Sequence, residues 1–161
     1  MLDHDLVNRI RFIFLHPRPH VSIAEATVLL GWSRGEMSHA IAAGEVEVAA
    51  TSVGKWLWRE ELMAKALEIW SPEVIEDALG ADAKGVLPEA VRLIDLHVRL
   101  PRHQVAMLEH FAERERTTVS SVLARELDGV VSAHADELSS AIVGFADAFA
   151  WPDAESAQLP C

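Results

Sequence analysis

The chain contains 161 residues, enough for one ordinary domain or two small ones, and half of them are hydrophobic, which suffices for a buried core. No apolar run approaches the roughly 18 residues of a membrane span, the N-terminus lacks the order of a signal peptide, and the single cysteine, Cys161, excludes an internal disulfide framework. The formal net charge of −11 disfavours a nucleic-acid partner unless positive charge is concentrated locally, and these properties together predict a soluble cytoplasmic protein.

The N-terminal part of the sequence predicts three helices. Residues 3–15 have an amphipathic pattern, which a proline-rich run ends. Two shorter helices follow, with the capping-box pairs Ser22–Glu25 and Ser33–Glu36 at their starts. Each of the two helices is expected to stop at a glycine. The turn between them is short, as in a helix-turn-helix corner. The apolar stripe of the first helix is expected to contain Leu6, Ile10, Ile13 and Phe14.

A small β-hairpin, or wing, is predicted next. Val46 and Val48 alternate with glutamates, and residues 52–54 supply a turn. Trp56 and Trp58 then alternate with Lys55, Leu57 and Arg59. The two tryptophans are expected to form the core of the wing rather than a ligand cage.

Two more helices follow the predicted wing. One is expected from Glu60 to about Trp70, and another begins at Ser71-Pro72-Glu73 and ends near Gly80. The chain is then expected to divide into a first domain over residues 1–80, a linker over 81–92, a second unit over 93–134 and a tail over 135–161.

Residues 22–62 resemble the excisionase and MerR-type winged helix-turn-helix. The matching positions are Glu25-Ala26, Leu29-Leu30-Gly31, Ser33 and Ile41 to Glu45. The resemblance implies a recognition helix over residues 33–43. The alternative is a scaffold or protein-binding module without DNA contact. A second DNA contact by this unit would use Arg34, Ser38 and His39, with Lys55 on the wing.

The second half begins with a predicted strand followed by two helices. Apolar and polar residues alternate over 94–100, and Pro101 ends the strand. A helix is expected over 102–115, and Thr118 is a candidate cap for the next helix. The stripe of that next helix is Val122, Leu123, Leu127, Val130 and Val131.

Residues 94–131 resemble a ribbon-helix-helix repressor or antitoxin. The matching positions are His97 to Pro101, Leu108 to Ala112 and Thr118 to Leu123, although Glu115-Arg116 stands where the family often has glycine. The resemblance implies a homodimer whose paired strands enter the major groove of double-stranded DNA. It implies base contacts by Asp95, His97 and Arg99, and phosphate contacts by Arg102, Thr118, Val119, Ser120 and Ser121. The alternative is an ordinary hairpin or helical segment in which Arg99 is merely solvated.

The distribution of charge agrees with this assignment. Residues 96–125 contain five Lys/Arg and three Asp/Glu residues, whereas 126–161 contain seven acidic residues and no basic one. DNA affinity depends on local neutralisation of phosphates, so 96–125 is the segment expected on DNA.

The acidic tail, residues 135–161, has an amphipathic pattern. It either packs on the rest of the chain or binds a partner protein, as antitoxins of similar layout bind a toxin. The apolar stripe proposed for such a toxin-like partner is Leu138, Ile142, Phe145 and Phe149.

No catalytic or cofactor motif competes with these patterns. His16 and His20 are four residues apart, but the adjacent prolines favour a loop over a metal site, and no cofactor or metal is expected. The expected fold is mainly α with small β elements. The resemblances imply a homodimeric, sequence-specific and autoregulatory transcriptional regulator rather than an enzyme. The alternative is an antitoxin-like protein for which DNA binding is secondary.

Overall fold

The computed structural model describes residues 2–152, which divide into two compact units, residues 2–86 and 87–152. The chain is mainly helical with one small antiparallel sheet, which confirms the expected fold class at that level. Within the described residues, no helix combines the length and apolar character needed to cross a membrane.

Six helices of the first unit surround one core, and five of them lie where the sequence predicts helices. Their buried side chains include Ile10, Ile13 and Phe14 of the expected first stripe, whereas Leu6 is only half-buried. The helices are α1 (His4–Leu15), α2 (Ile23–Leu30), α3 (Arg34–Ala43), α4 (Arg59–Ile69), α5 (Pro72–Leu79) and α6 (Ala83–Val86).

The starts of α2 and α3 are capped, but only one capping box is complete. The Ser33 hydroxyl accepts from the Glu36 N–H, and the Glu36 carboxylate accepts from the Ser33 N–H. Ser22 caps α2 through the Glu25 N–H, but the Glu25 carboxylate pairs with Arg18 at 3.2 Å instead. The predicted reciprocal box at Ser22 is therefore wrong in its second half, because a nearby cation takes the carboxylate.

The sheet has three strands rather than the predicted two. The strands β1 (His20–Ser22), β2 (Ala49–Thr51) and β3 (Gly54–Trp58) are ordered β1-β3-β2. The strand β1, in a segment predicted as a loop, pairs Val21 with Leu57. Three residues are too few to show a period in the sequence, so this strand depends on its tertiary partner.

The first strand of the predicted hairpin lies later than expected. It was expected around Val46 and Val48, but Thr51 pairs with Gly54 across a tight turn, which places β2 at Ala49–Thr51. Val46 is buried in the core instead. The alternation around Val46 therefore reflects one side chain that is buried after α3, and not a strand.

The two tryptophans do not form the core of the wing. The residue between them, Leu57, is fully buried, whereas Trp58 is 53% exposed. Successive side chains of a strand point to opposite faces, so Trp56 and Trp58 share the outer face with His20, whose ring meets Trp56 edge-on at 4.9 Å.

The first part of the predicted linker is folded. Residues Gly80–Asp82 form a 3₁₀ turn that leads into α6. Arg11 of α1 pairs with Asp82 at 2.8 Å and donates to the carbonyls of Ala78 and Leu79. This arginine holds the end of α5 and the following turn against α1.

The second unit consists mainly of a helical hairpin. It contains α7 (Arg102–Glu115), α8 (Val119–Ala133) and α9 (Ala135–Ala141), with 3₁₀ turns at Glu89–Val91 and Asp147–Phe149. Its buried cluster consists of Leu108, Ala112 and Val122, with Phe111 and Leu123 packed against it.

The predicted apolar stripe of the tail is interrupted. The helix α9 ends at Ala141, and Gly144 has a φ of 78°. Leu138 and Ile142 therefore do not continue on one helix to Phe145 and Phe149, whose rings meet edge-on at 5.4 Å. Residues 153–161 of the predicted tail lie outside the described part of the chain.

Candidate nucleic-acid interface

The segment preceding α7 has no strand partner in the single chain. Residues 94–100 form no backbone hydrogen bond with any other residue of 2–152. A strand requires a neighbour to bond with, so the predicted strand over 94–100 is not formed in one copy. Its apolar members are nevertheless open to solvent, with Ile94 87% exposed and Leu96 77% exposed.

The second unit leaves much apolar surface uncovered. Fourteen of the eighteen exposed large hydrophobic side chains in the described residues belong to it. They include all four of the 94–100 segment and several on α7 and α8. Extended apolar surface of this kind is typical of surfaces that a partner covers. The exposed set on the two helices is Val105, Met107, Val119, Leu127, Val130 and Val131.

The corner between α7 and α8 accommodates the departure from glycine. Arg116 takes the left-handed conformation, with φ 54°, that glycine usually supplies at a helix end. The Thr117 N–H then bonds to the Ala112 carbonyl at 3.0 Å. The corner therefore forms with an arginine at the turn.

The start of α8 is capped by Thr118. Its hydroxyl oxygen accepts from the Ser121 N–H at 3.0 Å. The first N–H groups of a helix have no partner within the helix. The Ser121 N–H is therefore satisfied by this cap. The N–H groups of Val119 and Ser120 have no hydrogen-bond partner within residues 2–152.

Two arginines of the predicted basic segment are engaged in ion pairs. Glu115 accepts from Arg125 and, at 3.1 Å, from Arg114. These hydrogen bonds, that from Arg125 first, lower the pKa of the Glu115 carboxyl. A carboxylate held in this way neutralises local positive charge.

The remaining arginines of the basic segment lie in the predicted strand over 94–100, at the start of α7 and in the corner between α7 and α8. Arg99, Arg102 and Arg116 form no ion pair within residues 2–152. Arg116 is a candidate phosphate contact that the sequence analysis missed. Its position two residues before the Thr118 cap was the available signal.

The candidate contacts on the first unit are all exposed. Arg34, Ser38 and His39 lie on the solvent side of α3, and Lys55 lies on β3. Neither Arg34 nor Lys55 forms an ion pair within the described residues. The Glu36 carboxylate is also exposed on α3, and hydrogen bonds from the backbone and side chain of Ser33 lower its pKa. The positive charge on this helix is therefore sparse.

His16 and His20 have structural contacts. The His16 ring stacks on Phe12 at 4.4 Å, and His20 lies against Trp56 and Trp58. Residues 2–152 contain no group of three or more His, Cys, Asp or Glu side chains suited to a metal ion.

The candidate partner-binding residues of the tail differ in exposure. Ile142 and Phe149 are about half exposed, and Leu138 and Phe145 are less so. The break after α9 separates them into two pairs instead of one helical stripe.

Comparison with protein-family models, curated proteins and solved structures found no match for this chain. The resemblances given above therefore depend on the residues quoted for them.

Proposed function

We propose that this protein is a homodimeric regulator of transcription that binds double-stranded DNA in a sequence-specific way and regulates its own expression. The observation that carries the proposal is the 94–100 segment. It alternates apolar and polar residues, exposes its apolar side chains, and has no backbone partner among residues 2–152, directly before a two-helix hairpin.

A second copy of the chain supplies what this segment lacks. Two such strands satisfy each other's backbone groups when they pair antiparallel, and their apolar faces cover the hydrophobic surface of α7 and α8. The buried cluster of Leu108, Ala112 and Val122 is small for an independent unit, and a dimer enlarges it.

The polar face of the paired strands then faces DNA. On that face, His97 and Arg99 are the side chains that we expect to read base edges in the major groove. Arginine suits this role because its bidentate contact with guanine is the commonest specific contact in protein–DNA complexes. Arg102, Arg116 and the N–H groups of Val119 and Ser120 at the start of α8 are suited to flanking phosphates. The acidic residues beyond 125 repel phosphates, and this restricts DNA binding to the surface just described.

The first unit has a secondary place in this proposal. Arg34 and Lys55 offer a second contact with DNA, but two cations release few counterions. A scaffold or protein-binding role is the alternative for this unit.

The test is binding of the full chain to a fluorescent fragment of the DNA upstream of its own coding sequence, with random DNA of equal length as control. We expect saturable binding that prefers the upstream fragment and weakens as salt rises. Sedimentation should show a dimer at the same concentrations. Equal binding to both fragments, or none at low salt, contradicts the proposal.

A second candidate function is neutralisation of a partner protein, as in antitoxins. It is favoured by the exposure of Ile142, Val143 and Phe149 within an acidic segment. The test is calorimetric binding to the product of an adjacent small reading frame. Val143→Ser should abolish that binding without changing DNA affinity, and unchanged partner binding contradicts this candidate.

A further inference from the structure

We infer that the two copies pair their 94–100 segments about a two-fold axis through His97. In this register Asp95 of each copy forms an ion pair with the partner's Arg99. The inference rests on the proposed homodimer and adds the register of the pairing and the charges that select it. It also gives Asp95 a role in self-association in place of a base contact.

The alternation of side chains limits the possible registers. Residues directly opposite each other in an antiparallel pair point to the same face. The apolar residues Ile94, Leu96, Val98 and Leu100 must therefore face one another, and this requires the axis to pass through a residue. An axis between two residues would set every apolar side chain against a polar one.

The axes through Leu96 and Val98 leave mismatched pairs. An axis through Leu96 sets Leu100 opposite Arg92 and Asp95 opposite His97. An axis through Val98 sets Ile94 opposite Arg102, which already belongs to α7, and His97 opposite Arg99. Either register places an arginine against an apolar residue.

The axis through His97 leaves no such mismatch. Ile94 then lies opposite the partner's Leu100, and Leu96 lies opposite the partner's Val98. Asp95 lies opposite the partner's Arg99, and this pair occurs twice because of the symmetry. Opposite charges at directly opposed positions stabilise a sheet, and like charges destabilise it.

Both charged groups are available for this pairing. Asp95 and Arg99 are exposed, and neither forms an ion pair or a side-chain hydrogen bond within residues 2–152. The polar face of the ribbon then has no net charge from its two aspartates and two arginines. Attraction to phosphates must come mainly from Arg102, Arg116 and the start of α8.

The register is tested by disulfide trapping in the full chain with Cys161→Ser. Single variants His97→Cys, Leu96→Cys and Val98→Cys are oxidised with diamide, and covalent dimer is measured on denaturing gels. The axis residue meets its own copy at about 4.5–5.5 Å between Cα atoms, within disulfide range. A residue next to the axis residue is separated from its own copy by two positions, about 6.6 Å along the strands.

We expect His97→Cys to form covalent dimer at least tenfold faster than the other two variants. Faster trapping of Leu96→Cys or Val98→Cys overturns the register while the homodimer stands. Absence of trapping in all three, with a dimer still seen in sedimentation, overturns pairing through this segment. A wild-type chain that is monomeric in sedimentation overturns the proposed homodimer itself, and the inference with it.

The ion pairs are tested by reversing their charges. In homodimers, Asp95→Arg and Arg99→Asp each set like charges opposite each other twice, so we expect the dimer dissociation constant to rise about tenfold. A mixture of the two variants restores both opposite-charge pairs and should form heterodimer selectively. The double variant, with both reversals in one chain, should regain the wild-type dissociation constant.

The matched control is the charge reversal Glu109→Arg. Glu109 is exposed on α7 and forms no ion pair within residues 2–152. It should leave the dimer dissociation constant within about twofold of the wild type. Statistical mixing of the two reversed variants, with unchanged homodimer stability, would overturn the ion pairs.

Discussion

The carboxylate of Glu115, the last residue of α7, accepts a hydrogen bond from the guanidinium of Arg125 on α8. The two residues are ten positions apart, and their pairing joins the two helices of the second unit across the corner at Arg116. The same pairing lowers the pKa of Glu115 from its ordinary value of 4.5.

We expect acid to weaken this connection. A carboxyl whose pKa is lower in the folded state contributes stability that is present above the unfolded pKa, and the contribution is lost as pH falls through the folded pKa. Glu115→Gln should therefore lower the thermal unfolding midpoint near neutral pH and leave it unchanged once the pH is well below 4.5. Glu113→Gln, at an exposed position on the same helix, is the control. Equal pH profiles for Glu115→Gln and the wild type contradict the prediction.

The capping box of α3 predicts a measurable loss when it is removed. Ser33→Ala leaves the Glu36 N–H without its cap and should lower the free energy of unfolding by about 1 kcal/mol in urea titrations. Ser52→Ala, in the exposed turn between β2 and β3, should change it by less than about 0.5 kcal/mol. A loss no larger than that of the control would show that the cap contributes little.

The side chain of Leu57 links the sheet to the core of the first unit. It is fully buried, so Leu57→Ala should lower the free energy of unfolding by about 2–5 kcal/mol. Val53→Ala truncates a side chain that is 84% exposed and should stay within about 0.5 kcal/mol of the wild type. Similar values for the two variants in urea unfolding would contradict the packing described for β3.

Arg59 caps the end of α1 from the start of α4. Its guanidinium donates to the Phe14 carbonyl and, at 3.4 Å, to the Ile13 carbonyl, and burial lowers its pKa. Arg59→Met keeps most of the stem but removes the donors, and should lower the free energy of unfolding by about 1–3 kcal/mol. Arg34→Met, at an exposed position, serves as the control. A stability unchanged by Arg59→Met would exclude this capping role.

Variants of single cations separate the two candidate DNA surfaces. Arg99→Ala should reduce affinity for the preferred DNA by about 1–3 kcal/mol, with a smaller effect on random DNA. The measurement is fluorescence anisotropy, at protein concentrations where sedimentation shows the variant to be dimeric. Arg34→Ala and Lys55→Ala should have small effects if the first unit is a scaffold. A larger loss from these two than from Arg99→Ala would transfer the DNA contact to the first unit.

Local signals in the sequence predicted the helices well. Ser33 with Glu36, the proline after Ser71, and Thr118 act within one helical turn, so the residues that start a helix are also close in sequence. The stops at Gly31 and Gly44 are equally local, since both adopt a positive φ. These features need no knowledge of the tertiary fold.

The strands were predicted less well because their partners are distant in sequence. The strand β1 exists because Val21 meets Leu57, 36 positions away, and the same contact decides that Leu57 rather than the tryptophans is buried. The predicted stripe of the tail failed for a related reason, since the break after Ala141 separates residues that an unbroken helix would align.

The sequence by itself determined where most helices begin and end, and that residues 94–100 alternate between apolar and polar side chains, because these properties depend on neighbouring residues. Only the tertiary structure decided that β1 exists, that the side chain of Leu57 is enclosed, and that the 94–100 segment has no backbone partner within the described part of one copy. The physical reason is that hydrogen bonding between strands and burial of a side chain depend on residues brought close only by folding.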